Sequence, residues 1–128
     1  MESIKLRAKN SKQISPAVDF NIETGVCILE GDSYLESPRP FYEPLINWLE
    51  KFSKEQSTPI TMEFKVKYFN TSTSGFFLDM LLLLKEHENS GGDVVVNWYI
   101  DEPDSDLEEE IEDYQMDTDI TINVIKEY

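Results

Sequence analysis

Cysteine and histidine are almost absent from this chain, which has one of each in 128 residues. A single cysteine, Cys27, cannot form an internal disulfide bond, so nothing in the sequence favours an oxidising compartment. The histidine, His87, lies sixty residues away, and this pair matches no zinc-binding pattern. We therefore expect no bound metal. Cys27 lies inside the apolar run of residues 26–29, which predicts a buried structural thiol rather than a reactive one.

Basic side chains are also scarce, with 11 Lys and Arg against 26 Asp and Glu and a formal net charge of -15. This balance argues against nucleic acid and against anionic membrane surfaces, because both are recognised by basic side chains. Residues 4–9 alternate apolar with basic side chains and do not form the apolar core of a secretory signal. The longest apolar run, residues 76–84, contains Asp79 and is too short to cross a bilayer. We expect a cytoplasmic protein with basic protein partners.

Catalytic signatures are missing as well. The sequence contains no G-x-S-x-G elbow, no P-loop and no dinucleotide-binding fingerprint, so we expect neither enzymatic activity nor a cofactor. Residues 101–119 hold eleven acidic side chains and no basic one. No window in this run places glycine at the sixth position of a calcium-binding loop. Leu107, Ile111 and Tyr114 follow at helical spacing, which predicts a short helix with one anchored face and one solvated acidic face.

The pattern of apolar residues predicts alternating strands and helices. Predicted strands occupy residues 4–8, 17–22, 26–29, 60–69, 93–100 and 120–125, and helices follow residue 38, residue 70 and the start of the acidic run. Residues 10–16 are predicted to be a polar loop. The continuous apolar run 93–100 predicts an interior strand covered on both faces. The fold class is therefore α/β: one domain over residues 1–128, with a mixed sheet of about six strands and crossover helices.

A cluster of polar residues joins the predicted strand at 60–69 to the apolar helix that follows it. The cluster consists of Asn70, Thr71, Ser72, Thr73 and Ser74. One of its hydroxyls could act as a plain helix N-cap. A hydroxyl there could also accept a phosphoryl group, because free N–H groups and the helix dipole favour negative charge at this end. The cluster is longer than one cap requires, and the residues alone leave both interpretations open.

Five short blocks follow one another along the chain: Val18-Asp19-Phe20, Thr24-Gly25, Gly31-Asp32-Ser33-Tyr34, Tyr68-Phe69-Asn70-Thr71-Ser72 and Val96-Asn97-Trp98-Tyr99. In this combination and order they resemble the SiaC family of regulatory phosphoproteins. These blocks span nearly the whole chain. The chain departs from the family pattern at Leu35, where family members often have proline, and at residues 73–75, which add further hydroxyls.

The resemblance implies a fold similar to the STAS-type anti-sigma-factor antagonists and a non-catalytic role in cyclic di-GMP signalling. It places the phosphorylated threonine at Thr71, with Ser72 as the second candidate, and implies that residues 70–74 contact partners. The implied partners are a GHKL-type protein kinase, a PP2C-type phosphatase and a GGDEF diguanylate cyclase. The unphosphorylated form is expected to bind and activate the cyclase.

A function of a different class remains open from the residues alone: a small ligand-binding domain or enzyme. Mixed α/β sheets often bind ligands at the carboxyl ends of their strands. Asn70 together with Asn97, Trp98 and Tyr99 could line such a pocket. Trp98 and Tyr99 could equally serve core and sheet packing.

Overall fold

The computed structural model describes residues 1–128, which form eight strands and three helices. In chain order these are β1 (Ile4–Leu6), β2 (Lys9–Asn10), β3 (Ile14–Ser15), β4 (Ala17–Phe20), β5 (Val26–Glu30), α1 (Arg39–Glu55), β6 (Ile60–Lys65), α2 (Thr71–Asn89), β7 (Val94–Ile100), α3 (Ser105–Thr118) and β8 (Ile122–Lys126). Six strands form one sheet in the order β1-β4-β5-β6-β7-β8. The β1–β4 and β4–β5 pairs are antiparallel and the other three are parallel, each parallel connection containing a helix. This confirms the predicted mixed α/β sheet.

The sheet buries only one of its two faces. Residues that lie side by side across five strands form this buried face: Phe20, Cys27, Met62, Val96 and Ile122. The helices cover that same face, since α2 contacts α1, α3 and β7, and their buried side chains join one core with the strand residues. Successive strand residues alternate between faces, and on the other face Val95 is 46% exposed. The prediction that residues 93–100 are covered on both faces is therefore wrong.

Each helix packs through one apolar stripe. The buried residues are Tyr42, Leu45, Trp48, Leu49 and Phe52 in α1, Thr73, Phe77, Met80, Leu81 and Leu84 in α2, and Leu107, Ile111, Tyr114 and Thr118 in α3. The predicted anchored face of the acidic helix is thus confirmed. Helix α2 lies in the middle of the layer, in contact with both other helices. No helix is both long and apolar enough to span a membrane.

Two segments differ from the sequence-based prediction. Within residues 10–16, predicted as a loop, β3 pairs with β2 in a small separate hairpin. The strand predicted to continue to residue 69 ends at Lys65, because the Val66 carbonyl accepts the Trp98 indole N–H at 3.0 Å. Beyond that point the chain bonds to Ser33, whose N–H donates to the Tyr68 carbonyl at 3.0 Å. The Asn70 N–H in turn donates to the Ser33 carbonyl at 3.1 Å, so these bonds fix the start of α2 next to the segment after β5.

Cys27 has the structural role that its apolar neighbours predict. Its side chain is fully buried in β5. Burial raises the pKa of the thiol to about 12, with a further contribution from the negative charge of Asp19. Because the thiolate is the reactive species, this thiol is inert at neutral pH.

Candidate functional site

Asn70 provides the N-cap of α2. Its side-chain Oδ1 accepts the Thr73 backbone N–H at 3.1 Å, and its Nδ2 donates to the Leu35 carbonyl at 3.0 Å. The amide therefore satisfies one of the free N–H groups of the first turn and ties the helix start to the segment after β5. Since the cap is an asparagine, the hydroxyls that follow are not required for capping. The interpretation that one of the hydroxyls is the helix N-cap is therefore wrong.

The four hydroxyls of the cluster lie in different environments. Thr71, the first residue of α2, and Ser72 are exposed, whereas Thr73 is fully buried and Ser74 is half-buried. The Ser72 hydroxyl donates to Asn70 Oδ1 at 3.3 Å. Only Thr71 and Ser72 are thus open to a modifying protein.

Thr73 belongs to a buried chain of hydroxyls. Its Oγ1 lies 2.9 Å from Ser33 Oγ, and the Tyr42 hydroxyl donates to the same Ser33 oxygen at 2.6 Å. Burial raises the pKa of Tyr42, so the phenol stays neutral and can donate. This network joins α1, α2 and the segment after β5. We therefore correct the sequence-based grouping of Thr73 with the partner-contacting residues, because its side chain has no exposed surface.

Thr71 lines an open cleft of about 420 Å³ between the start of α2, the segment after β6 and the first turns of α3. Other residues around it include Tyr34, Lys67, Tyr68, Asp104, Asp106 and Glu110. Lys67 is the one cation in this lining, and its ammonium group lies 3.0 Å from Asp101 and 3.2 Å from Glu102. These hydrogen-bonded carboxylates raise the pKa of Lys67. Asp104, Asp106 and Glu110 therefore make no salt bridge with Lys67.

Ser74 connects α2 to α3. Its hydroxyl donates to Glu110 Oε1 at 2.9 Å and lies 2.6 Å from the Tyr114 hydroxyl, which also donates to the Ser74 carbonyl at 3.2 Å. Tyr114 is buried and stacks on Trp98, with ring centroids 6.0 Å apart. Burial raises the pKa of Tyr114. Ser74 therefore has a structural role at the edge of the cleft.

The alternative pocket between Asn70 and residues 97–99 is not formed. Trp98 is fully buried, while Asn97 and Tyr99 lie on the opposite sheet face, where both contact Glu63. The hydrogen bond to the Glu63 carboxylate raises the pKa of Tyr99. None of residues 97–99 lines the cleft beside Asn70. The structure also shows no group of three or more His, Cys, Asp or Glu side chains arranged to hold a metal ion.

Several residues of this cleft could not be identified from the sequence. Glu110 and Asp106 are two of many acidic residues in the run 101–119, and nothing in the sequence indicates which of them approach α2. Tyr34 and Tyr68 stand out only in the structure, where they are 44% and 49% exposed. Both tyrosines belong to the sequence blocks that carry the family resemblance, but nothing in those blocks shows that the two side chains share a cleft.

The fold and the site together define a class: a small α/β domain that presents an exposed hydroxyl at the start of a central helix packed through one apolar stripe. The family follows from the sequence. The model of the SiaC family regulatory phosphoprotein matches residues 9–127. The chain therefore belongs to the SiaC family of regulatory phosphoproteins.

Individual relatives agree with this assignment. An uncharacterised protein of Pseudomonas aeruginosa (strain UCBPP-PA14) is 29% identical over 105 residues, which cover 82% of this chain and 83% of that protein. The crystal structure of apo-SiaC from Pseudomonas aeruginosa is 25% identical, with a TM-score of 0.87 over 98% of this chain and 99% of that one. A chain in the crystal structure of the diguanylate cyclase SiaD in complex with its activator SiaC has a TM-score of 0.88. At 24% identity over 96% of this chain and 98% of that chain, it is similar in fold.

Proposed function

We propose that this chain activates a diguanylate cyclase by direct binding and that phosphorylation of Thr71 switches the activation off. In this proposal the chain has no catalytic activity of its own. The observation that carries it is the position of Thr71: exposed, first in α2, and free of the capping role that Asn70 fills. The solved complex of SiaD with its activator SiaC, which shares this fold, supports the cyclase as the activated partner.

The modification is a phosphoryl transfer by a GHKL-type kinase. The Thr71 oxygen attacks the γ-phosphorus of ATP, an O–P bond forms, the bond to ADP breaks, and the hydroxyl proton is released. A PP2C-type phosphatase reverses the change by hydrolysing the ester to threonine and inorganic phosphate. The first-turn N–H groups and the dipole of α2 favour a negative group at this position. The phosphate adds a charge of roughly −1.5 to −2 to a cleft that already contains three carboxylates.

The surface around Thr71 has features of a protein-binding site. Tyr34 and Tyr68 are half-exposed aromatic residues in the cleft wall, and exposed aromatic side chains are common anchors of interfaces. The exposed acidic face of α3 would steer a basic partner toward this corner. A phosphate on Thr71 would have to lose its hydration shell when the partner docks, and this desolvation disfavours the complex. We therefore keep Asn70, Thr71, Ser72 and the rim residue Ser74 in the proposed contact surface.

Incubation with the kinase and ATP tests the site. We expect one phosphate on Thr71, located by mass spectrometry of peptides from the wild-type chain. Thr71→Ala is expected to abolish labelling because it removes the acceptor oxygen. Ser72→Ala is the matched control, since it removes the other exposed hydroxyl of the cluster, and it is expected to leave labelling intact. Labelling of Ser72 alone, or no label within residues 71–74, would overturn the assignment of Thr71.

A further inference from the structure

We infer that Glu110 is the positioning residue through which a negative charge at residue 71 loosens the packing of α3 on α2. The inference rests on the proposed function for its biological input, the phosphate on Thr71. The physical coupling itself is a property of this chain and needs neither the kinase nor the cyclase to be measured. Through this coupling, a phosphate on Thr71 would affect helix α3 as well as the surface around Thr71 itself.

The first step is proximity along α2. Thr71 and Ser74 are three residues apart, so their side chains are neighbours on one face of the helix. Both line the same cleft, and Glu110 of α3 lines it too. The Ser74 hydroxyl donates to Glu110 Oε1 at 2.9 Å. Ser74 thus holds the Glu110 carboxylate in the wall of the cleft that Thr71 also lines.

The second step is the lack of compensating positive charge. Lys67, the one cation in the cleft lining, already contacts Asp101 and Glu102 on the loop before α3. The other acidic residues in the lining, Asp104 and Asp106, also come from the start of α3. A new negative charge at residue 71 therefore meets three carboxylates of one helix terminus. Only Glu110 among them is bonded to α2.

The third step is what the Glu110 contact supports. Glu110 and Tyr114 lie one turn apart on α3 and both meet the Ser74 hydroxyl, at 2.9 and 2.6 Å. Tyr114 is 4% exposed and stacks on Trp98, so it remains anchored by packing. The Glu110 side chain itself is half-exposed and its one hydrogen bond is to Ser74, whereas its neighbours Leu107 and Ile111 are buried in the core. Repulsion at Glu110 should therefore break its contact with Ser74 and loosen the cleft-facing side of the first two turns of α3, while the core contacts of Leu107, Ile111 and Tyr114 stay in place.

Hydrogen exchange with double variants tests this coupling. Thr71→Asp is expected to accelerate exchange of the amides in the first two turns of α3 on the order of tenfold, because like charges a few ångströms apart repel. In a Glu110→Gln background the same Thr71→Asp change is expected to have little effect. The glutamine keeps an oxygen that accepts the Ser74 hydroxyl, so α3 stays docked while the charge is removed. Glu109→Gln is the matched control, since the neighbouring Glu109 is exposed and does not line the cleft.

A sign reversal gives a second, independent variant. With Glu110→Lys, the aspartate at residue 71 should slow exchange in α3 rather than accelerate it, because repulsion becomes attraction. The inference is wrong if Thr71→Asp changes α3 exchange equally with Glu, Gln and Lys at residue 110, or not at all with Glu. Such a result would leave phosphorylation of Thr71 untouched. Conversely, absence of label on Thr71 would refute the proposed function even if the coupling were present.

Discussion

Replacement of Thr71 by aspartate is expected to weaken binding of the cyclase about tenfold or more relative to replacement by alanine. The aspartate places a negative charge where the proposed partner docks, beside three carboxylates of the cleft. Docking would strip water from this carboxylate, which costs several kcal/mol where no positive group pairs with it, and about 1.4 kcal/mol corresponds to tenfold in affinity. Alanine removes the hydroxyl and adds no charge, so it should bind nearly as the wild-type chain does. Isothermal titration calorimetry with the purified cyclase measures both affinities.

The control for this comparison must carry the same net charge. Asn89→Asp adds one carboxylate at the far end of α2, on an exposed residue, and should leave the affinity unchanged. Weaker binding of this control to the same degree would point to overall charge rather than to the cleft. Equal affinities for aspartate and alanine at residue 71 would show that charge there does not decide docking.

Trp98→Ala is expected to lower the free energy of unfolding by about 3–5 kcal/mol, the usual range for large aromatic residues truncated in a core. Trp98 is fully buried and stacks on Phe64 with ring centroids 4.3 Å apart. Its indole N–H is also the hydrogen-bond donor to the Val66 carbonyl, which ends β6. Loss of the ring therefore removes packing, leaves a cavity and leaves a buried acceptor unpaired. Urea unfolding followed by circular dichroism measures the change.

Two further variants separate the contribution of ring packing from that of the indole hydrogen bond. Trp98→Phe keeps part of the ring packing but leaves the Val66 carbonyl without its donor, so an intermediate loss of about 1–3 kcal/mol is expected. Val95→Ala, on the exposed sheet face of the same strand, should change the stability by less than about 1 kcal/mol. A loss at Trp98→Ala no larger than that at Val95→Ala would contradict the assignment of Trp98 to the core.

Most of the fold could be predicted from periodicity, because each helix and most strands have their own apolar pattern. Helix α3 is an example, since Leu107, Ile111 and Tyr114 identify its buried face within a very acidic segment. The end of β6 could not be predicted, because it depends on an indole from another strand and on Ser33. The apolar run in β7 was misleading for a similar reason. Its sequence cannot show that all three helices pack on one side and leave Val95 exposed.

The candidate site, like the fold, could be predicted from the sequence only in part. The family resemblance singles out Thr71 as the proposed phosphoryl acceptor, and local spacing predicted the helix that begins there. Which hydroxyls of the cluster are exposed depends on tertiary contacts: Thr73 bonds to Ser33 and Ser74 bonds to Glu110, both distant in sequence. The cap could have been assigned to Asn70 by its position just before the helix, since asparagine is among the strongest N-cap residues.

Cyclic di-GMP synthesis by the cyclase, measured with the wild-type chain before and after stoichiometric phosphorylation, is the most direct test of the switch at Thr71. Synthesis should rise with added unphosphorylated chain, stay at the basal rate with the phosphorylated chain, and rise again after phosphatase treatment. Equal stimulation by the phosphorylated and unphosphorylated forms would contradict the switch.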